Sequence, residues 1–141
     1  MCVCYIGGAH TIGETHCNLI GNRLYNFTGK GDADPSLNPA YANILRGLCP
    51  NATSPSIIEL DFQSSTKFDT HYFTLIIENK GIFQSDASLL TNPRSAQIVR
   101  RLQNRNQFFR QFGQSMMKLI ALPGTGGEIR DNCHFVNPTA Q

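Results

Sequence analysis

The sequence predicts an all-α fold. Three observations carry this expectation. Apolar residues recur at i, i+3, i+4 and i+7 in several segments; Asn-Pro pairs and glycines mark where those segments start and stop; and no stretch alternates with period two for long enough to make a sheet. At 141 residues the chain suits one domain, without internal repeats or low-complexity tracts.

In chain order, Cys17, Ile20 and Leu24 form a short amphipathic helix ahead of a Gly-rich turn over residues 28–34. Asn38-Pro39 supplies an N-cap and a first-turn proline for a helix whose face is Tyr41, Ile44, Leu45 and Leu48, ending near Cys49-Pro50. Asp69 or Thr70 caps the next helix, with a stripe of Tyr72, Phe73, Ile76 and Ile77 and a stop signal at Lys80-Gly81. After Asn92-Pro93, residues 95–122 carry Ile98, Val99 and Leu102, then Phe108, Phe109, Phe112, Met116, Leu119 and Ile120. The polar interval 103–107 shifts the stripe, which predicts two helices with a break between them.

Composition narrows the function. Twelve Lys+Arg against ten Asp+Glu leave a net charge of +2, too small and too evenly spread for a phosphate-tracking face, so no nucleic-acid partner is expected. Apolar runs such as 119–122 are too short for a membrane span. The start Met1-Cys2-Val3-Cys4-Tyr5 has neither a basic n-region nor an apolar h-region, so it does not read as a signal peptide. Five cysteines mean that one thiol at least is unpaired in the chain, pairs outside it or has lost its partner. Sequons at Asn26-Phe27-Thr28 and Asn51-Ala52-Thr53 are compatible with a secreted glycoprotein. These signs are reconciled if the chain is the later part of a longer secreted protein.

The most informative segment is Gly7-Gly8-Ala9-His10-Thr11-Ile12-Gly13, with Cys17 close behind. Small residues on both sides of a histidine let a bulky group approach the imidazole; an ordinary histidine in a Gly-rich turn is the alternative. The segment is followed by Arg23-Leu24-Tyr25-Asn26-Phe27, Asp32-Ala33-Asp34-Pro35-Ser36-Leu37-Asn38, Leu45-Arg46-Gly47-Leu48-Cys49-Pro50 and Leu60-Asp61. Phe68-Asp69, Gly81-Ile82-Phe83-Gln84-Ser85-Asp86, Ser115-Met116 and Gly127-Glu128-Ile129-Arg130-Asp131-Asn132-Cys133 complete the series. From Gly7 to Asn137, this ordered set resembles the second half of the plant secretory haem peroxidases, the class III, horseradish type.

The resemblance implies that residues 1–141 are a partial domain, the proximal helical half of the haem peroxidase fold with the N-terminal distal half missing. It implies a haem b cofactor and His10 as the axial ligand of its iron, with Asp86 accepting a hydrogen bond from the imidazole and raising its basicity. Asp86 could serve as a helix cap as well. Thr11, Asp61, Ser64 and Asp69, with main-chain carbonyls near Thr11, Ser64 and Lys67, match the family's proximal calcium site, a set of hard oxygen ligands suited to Ca²⁺. Asp61 and Asp69 as ordinary caps are the alternative. Ser64 stands where the family usually has threonine, Ser65 where it has proline and Thr70 where it has asparagine; losing the proline is expected to loosen the loop. Cys17 and Cys49 match a family disulfide, whereas the partner of Cys133 would lie in the half that is missing. Cys2 and Cys4 match no family disulfide. His16 lies either near a haem propionate or simply in solvent.

By resemblance the function is hydrogen-peroxide-dependent oxidation of small phenolic donors, in peroxide catabolism and the response to oxidative stress, by a secreted or vacuolar monomer. The family's distal histidine and arginine lie in a motif R-x-x-F-H-D-C that these residues do not contain, so the chain alone is expected to be weakly active or inactive. Two alternatives stand beside this reading: a non-catalytic helical haem-binding or interaction fragment, and a zinc-type site from Cys2, Cys4, His10, His16 and Cys17. The second has the right ligand types at spacings that match no zinc pattern.

Overall fold

The structure is a computed structural model that describes residues 2–123, 126–127, 130–132 and 134–137, leaving out the side chains of Cys2 and Val3. Cys133 and parts of the segment 127–133 lie outside the described residues. The described elements are helices α1 (Cys2–Ile6), α2 (Gly21–Tyr25), α3 (Pro39–Leu48), α4 (His71–Ile77), α5 (Gln84–Ser88), α6 (Pro93–Leu102) and α7 (Arg105–Ile120), with 3₁₀ turns at Gly7–Thr11 and Cys17–Leu19. The expected all-α class holds. One small addition is an antiparallel ribbon of β1 (Glu14–His16) and β2 (Ile57–Glu59), paired Glu14 to Glu59, Thr15 to Ile58 and His16 to Ile57.

Local signals explain several helix ends. The Asn38 side chain accepts from Ala40 and Tyr41 N–H, and Asn92 from Arg94 and Ser95 N–H, each with proline in the first turn. Asn104 accepts from Gln107 N–H and starts α7 afresh, which is the break expected within 103–107. Helix α4 stops earlier than Lys80-Gly81 suggests. Asn79 adopts φ 58°, and Lys80 N–H reaches back to the Leu75 carbonyl at 2.8 Å, so asparagine takes the left-handed position usually given to glycine.

The α3 stripe is also rotated from the expected one. Tyr41, Ala42 and Leu45 are buried, while Ile44 and Leu48 remain 49% and 47% exposed. Cys49 sits on the buried side, bonded to Cys17 with the Cα atoms 5.5 Å apart, and this cross-link turns the Ala42 face inward.

Two cores result. One gathers Cys17, Ile20, Leu24, Leu37, Tyr41, Leu45, Cys49, Ile58 and Ile82, with Phe83 against it. The other gathers Cys4, Tyr72, Phe73, Ile76, Leu89, Val99, Leu102 and Phe108. Cys4 is therefore a free, buried packing residue. The last turn of α7 leaves the core: Leu119 is 43% and Ile120 74% exposed. Gly8 is buried because its turn lies flat on the second core, where a Cβ would stand 2.4 Å from Phe108 Cε2.

Candidate functional site

His10 ends up at the seam of the two cores. Its ring lies 5.1 Å from Phe83, which packs on the first core, and 5.9 Å edge-on from Tyr72, which belongs to the second. Two short elements bring His10 and Asp86 together across 76 residues: the Gly7–Thr11 turn and α5. Asp86 is the third residue of α5, and its Oδ2 accepts the Phe83 N–H at 2.9 Å, closing the first turn. Its Oδ1 lies 3.0 Å from His10 Nδ1. The capping role and the pairing role coexist in one buried carboxylate.

This pairing selects the tautomer. With Nδ1–H donating to Asp86, the lone pair of the imidazole is on Nε2, and no described residue is bonded to it. The His10 side chain is 34% exposed and faces a cleft of about 330 Å³ lined by Ile6, Gly7, Ala9, Tyr72, Ser85 and Leu89. Gly7 and Ala9 keep that approach open, as small flanking residues should; Gly8 is small for packing instead. The arrangement fits a flat apolar group carrying a metal that accepts an imidazole nitrogen.

The second predicted set also converges. Thr11 is fully buried, and its Oγ1 stands 2.9 Å from Asp61 Oδ2, 3.3 Å from Asp69 Oδ1 and 3.4 Å from the Lys67 carbonyl. Ser64 Oγ donates to Asp69 Oδ2 at 2.9 Å. The ribbon makes this possible. Gly13, at φ 98°, turns the chain into β1, and its N–H bonds the Ser65 carbonyl at 2.9 Å while its carbonyl accepts Leu60 N–H at 3.1 Å. The segment after His10 is thus fastened alongside residues 57–65.

The donor balance of this cluster is informative. One Thr11 proton faces three acceptor oxygens, while Asp69 also accepts from the His71 N–H at 2.8 Å. Burial pushes the Asp61 carboxyl above its ordinary value, with His71 and Thr11 hydrogen bonds opposing that shift. An excess of hard oxygen lone pairs fits a hard cation such as Ca²⁺. His71, 2.6 Å from Asp61 through Nδ1, was not signalled by the sequence reading. The loop that lacks its proline is held in another way: Glu59 accepts from Gln63 N–H at 2.8 Å and from Ser65 Oγ at 2.9 Å.

Other candidates separate. His16 is exposed, with Nδ1 3.1 Å from the Pro55 carbonyl. Among the described residues, no three His, Cys, Asp or Glu side chains are grouped to hold a metal, and Cys17 is committed to its disulfide. Of the zinc-type set, the Cys2 side chain lies outside the described residues. A larger cleft of about 380 Å³ beside Tyr41, Phe62 and His71 contains none of the predicted site residues.

Besides His71, two further residues form contacts that the sequence did not signal. The Tyr72 hydroxyl donates to Asp86 Oδ1 at 2.8 Å. Arg23, 2% exposed, donates to Asp34 Oδ2 at 2.7 Å and to the carbonyls of Gly81 and Ile82 at 2.8 and 2.6 Å. Periodicity flags Tyr72 only as a core residue, and Arg23 carries no apolar signal at all.

A family model described as "Peroxidase" matches residues 3–105. The chain is 48% identical over 141 residues to Peroxidase 24 and 45% identical over 137 residues to Peroxidase 27, both of Arabidopsis thaliana. It is 39% identical over 140 residues to a peroxidase of Armoracia rusticana. In each case 94% of the chain is covered, but only 40%, 43% and 40% of the relative. The chain thus spans about two-fifths of the length of these relatives.

Proposed function

Because the chain belongs to the peroxidase family, within its plant class III group, we propose that His10 is the axial ligand of a haem b iron and that Thr11, Asp61, Ser64 and Asp69 hold a Ca²⁺ ion. The single observation that carries the haem reading is the His10–Asp86 pair at 3.0 Å, its carboxylate buried and its imidazole on the wall of an apolar cleft. When bound, haem would supply redox chemistry with peroxide, and the chain's own residues prepare it. Asp86 takes the Nδ1 proton into a charge-assisted hydrogen bond, fixes the ring plane and makes Nε2 a stronger ligand. Ile6, Ala9 and Leu89 line the cleft with apolar surface. The lone pairs of Asp61, Asp69 and the Lys67 carbonyl around Thr11 would surround Ca²⁺ one residue from His10 and hold the imidazole in register with Asp86.

In the longer protein, the activity is peroxide-dependent one-electron oxidation of small phenolic donors, in peroxide catabolism and the oxidative-stress response. Secretion to the cell exterior or vacuole and glycosylation at Asn26 and Asn51 belong to the same reading. No helix among the described residues is long and apolar enough to cross a membrane.

Haemin titration tests the central assignment. The chain is expected to shift the Soret band, and His10→Ala to lose that coordinated spectrum. An identical coordinated spectrum in the variant would refute His10 as the ligand. Haem binding that persists with no peroxide chemistry in a longer family protein carrying this segment would favour a non-catalytic haem-binding role instead.

A further inference from the structure

Asp86 has one donor more than the His10 pairing and the helix cap require. Its Oδ1 accepts from both His10 Nδ1, at 3.0 Å, and the Tyr72 hydroxyl, at 2.8 Å; Oδ2 is taken by Phe83 N–H. Tyr72 is 1% exposed, so its hydroxyl has little access to water. Burial, then the adjacent Asp86 charge, pushes its ionisation far above the ordinary phenol value, which keeps it a donor. The Tyr72 ring stands edge-on to the imidazole with 86° between planes, and a Cβ on Gly7 would lie 3.4 Å from the phenol oxygen. Tyr72 is thus packed against both partners of the pair.

Two donors on one carboxylate oxygen draw on the same negative charge, so each hydrogen bond weakens the other. We propose that Tyr72 is a positioning residue for His10: its hydroxyl competes for Asp86 Oδ1 and so limits how much negative charge Asp86 passes to the imidazole. The consequence at iron rests on the reading of His10 as haem ligand; the competition itself is a property of the chain with or without haem. With haem bound, Tyr72 sets an upper limit on the electron donation of Nε2, and removing its hydroxyl strengthens that donation.

The test uses the 141-residue chain and Tyr72→Phe, which keeps the ring. Without haem, the His10 Nδ1 proton, followed by proton–nitrogen NMR, is expected to move downfield as its bond to Asp86 shortens. Incorporating a fluorinated tyrosine at position 72, a stronger donor, is expected to move it upfield. With haemin added and reduced, the iron–histidine stretching frequency is expected to rise in Tyr72→Phe and the iron reduction potential to fall. In an Asp86→Asn background the same substitution should change none of these readouts. A Nδ1 proton that stays put or moves upfield in Tyr72→Phe overturns the proposal, as does the fluorinated residue moving it downfield. A downfield shift in a chain whose haem spectrum is indifferent to His10 upholds the competition and refutes the haem assignment, so the two failures are distinct.

Discussion

Burial pushes the Asp61 carboxyl above its ordinary value of 3.8, and hydrogen bonds from His71 and Thr11 offset this only in part. An acid with a raised folded value holds its proton more tightly folded than unfolded. Its contribution to stability is complete below 3.8 and is lost as pH rises through the folded value. In chelator, the chain is therefore expected to lose stability as Asp61 ionises. On the proposed reading, Ca²⁺ would stabilise the same carboxylate and oppose the loss, so the Tm difference between Ca²⁺ and chelator should be small in strong acid and widen toward neutral pH. At roughly a hundredfold excess over Kd the gain is about 2.7 kcal/mol. Asp69→Asn and Ser64→Ala should each shrink it. Thermal melts across that range check this; a Ca²⁺ effect with no pH dependence would count against Asp61 as a ligand.

Among the elements, α2 is held by Arg23 as well as by the buried Leu24. Arg23 reaches Asp34 and the Gly81 and Ile82 carbonyls, tying α2 to the stretch of chain that leads into α5 and Asp86. For Asp34, burial raises the carboxyl, but the Ser36 hydroxyl, Arg23 and Ser36 N–H together bring it below 3.8. This sign is opposite to that of Asp61: the contribution is present above 3.8 and is lost as pH falls through the lower folded value. Arg23→Ala should cost about 3–5 kcal/mol by leaving Asp34 buried without its partner, and urea unfolding measures it. The sequence made α6, α7 and the gap between them legible, since Asn92-Pro93 and a stripe shifted by the polar interval 103–107 are local signals. It did not show the β1–β2 ribbon, because three-residue strands are too short to display a period. Nor did it place the buried face of α3, which a remote disulfide decides. The convergence of His10 with Asp86, and of Thr11 with Asp61 and Asp69, was legible through ordered motifs. Tyr72, Arg23 and His71 were not, because their polar contacts depend on tertiary placement that no spacing encodes.

At the scale of the molecule, two cores meet at His10, with Phe83 from one and Tyr72 from the other against its ring. On the proposed reading, this orders the proximal side of a haem site. The tasks of removing a proton from peroxide and stabilising the departing oxygen fall to residues that no motif in these 141 positions supplies. A missing base costs about 10²–10⁴ in rate and a missing electrostatic donor about 10²–10³. The purified chain with haem and Ca²⁺ is therefore expected to oxidise a phenolic donor roughly four to seven orders of magnitude more slowly than a full-length family enzyme. Steady-state turnover within about tenfold of such an enzyme would place a distal base among these residues. The Cys17–Cys49 bond has a consequence of a different kind. It closes a ring of chain that contains the exposed turn from Thr28 to Gly31, with Lys30 at its tip. A tryptic cut after Lys30 would open the backbone there without parting the pieces, since the sulfur link bridges the gap. On a non-reducing gel the clipped protein should keep the mobility of one chain, and only with thiol should it separate into two bands. Early separation without thiol would mean that the ring had never closed.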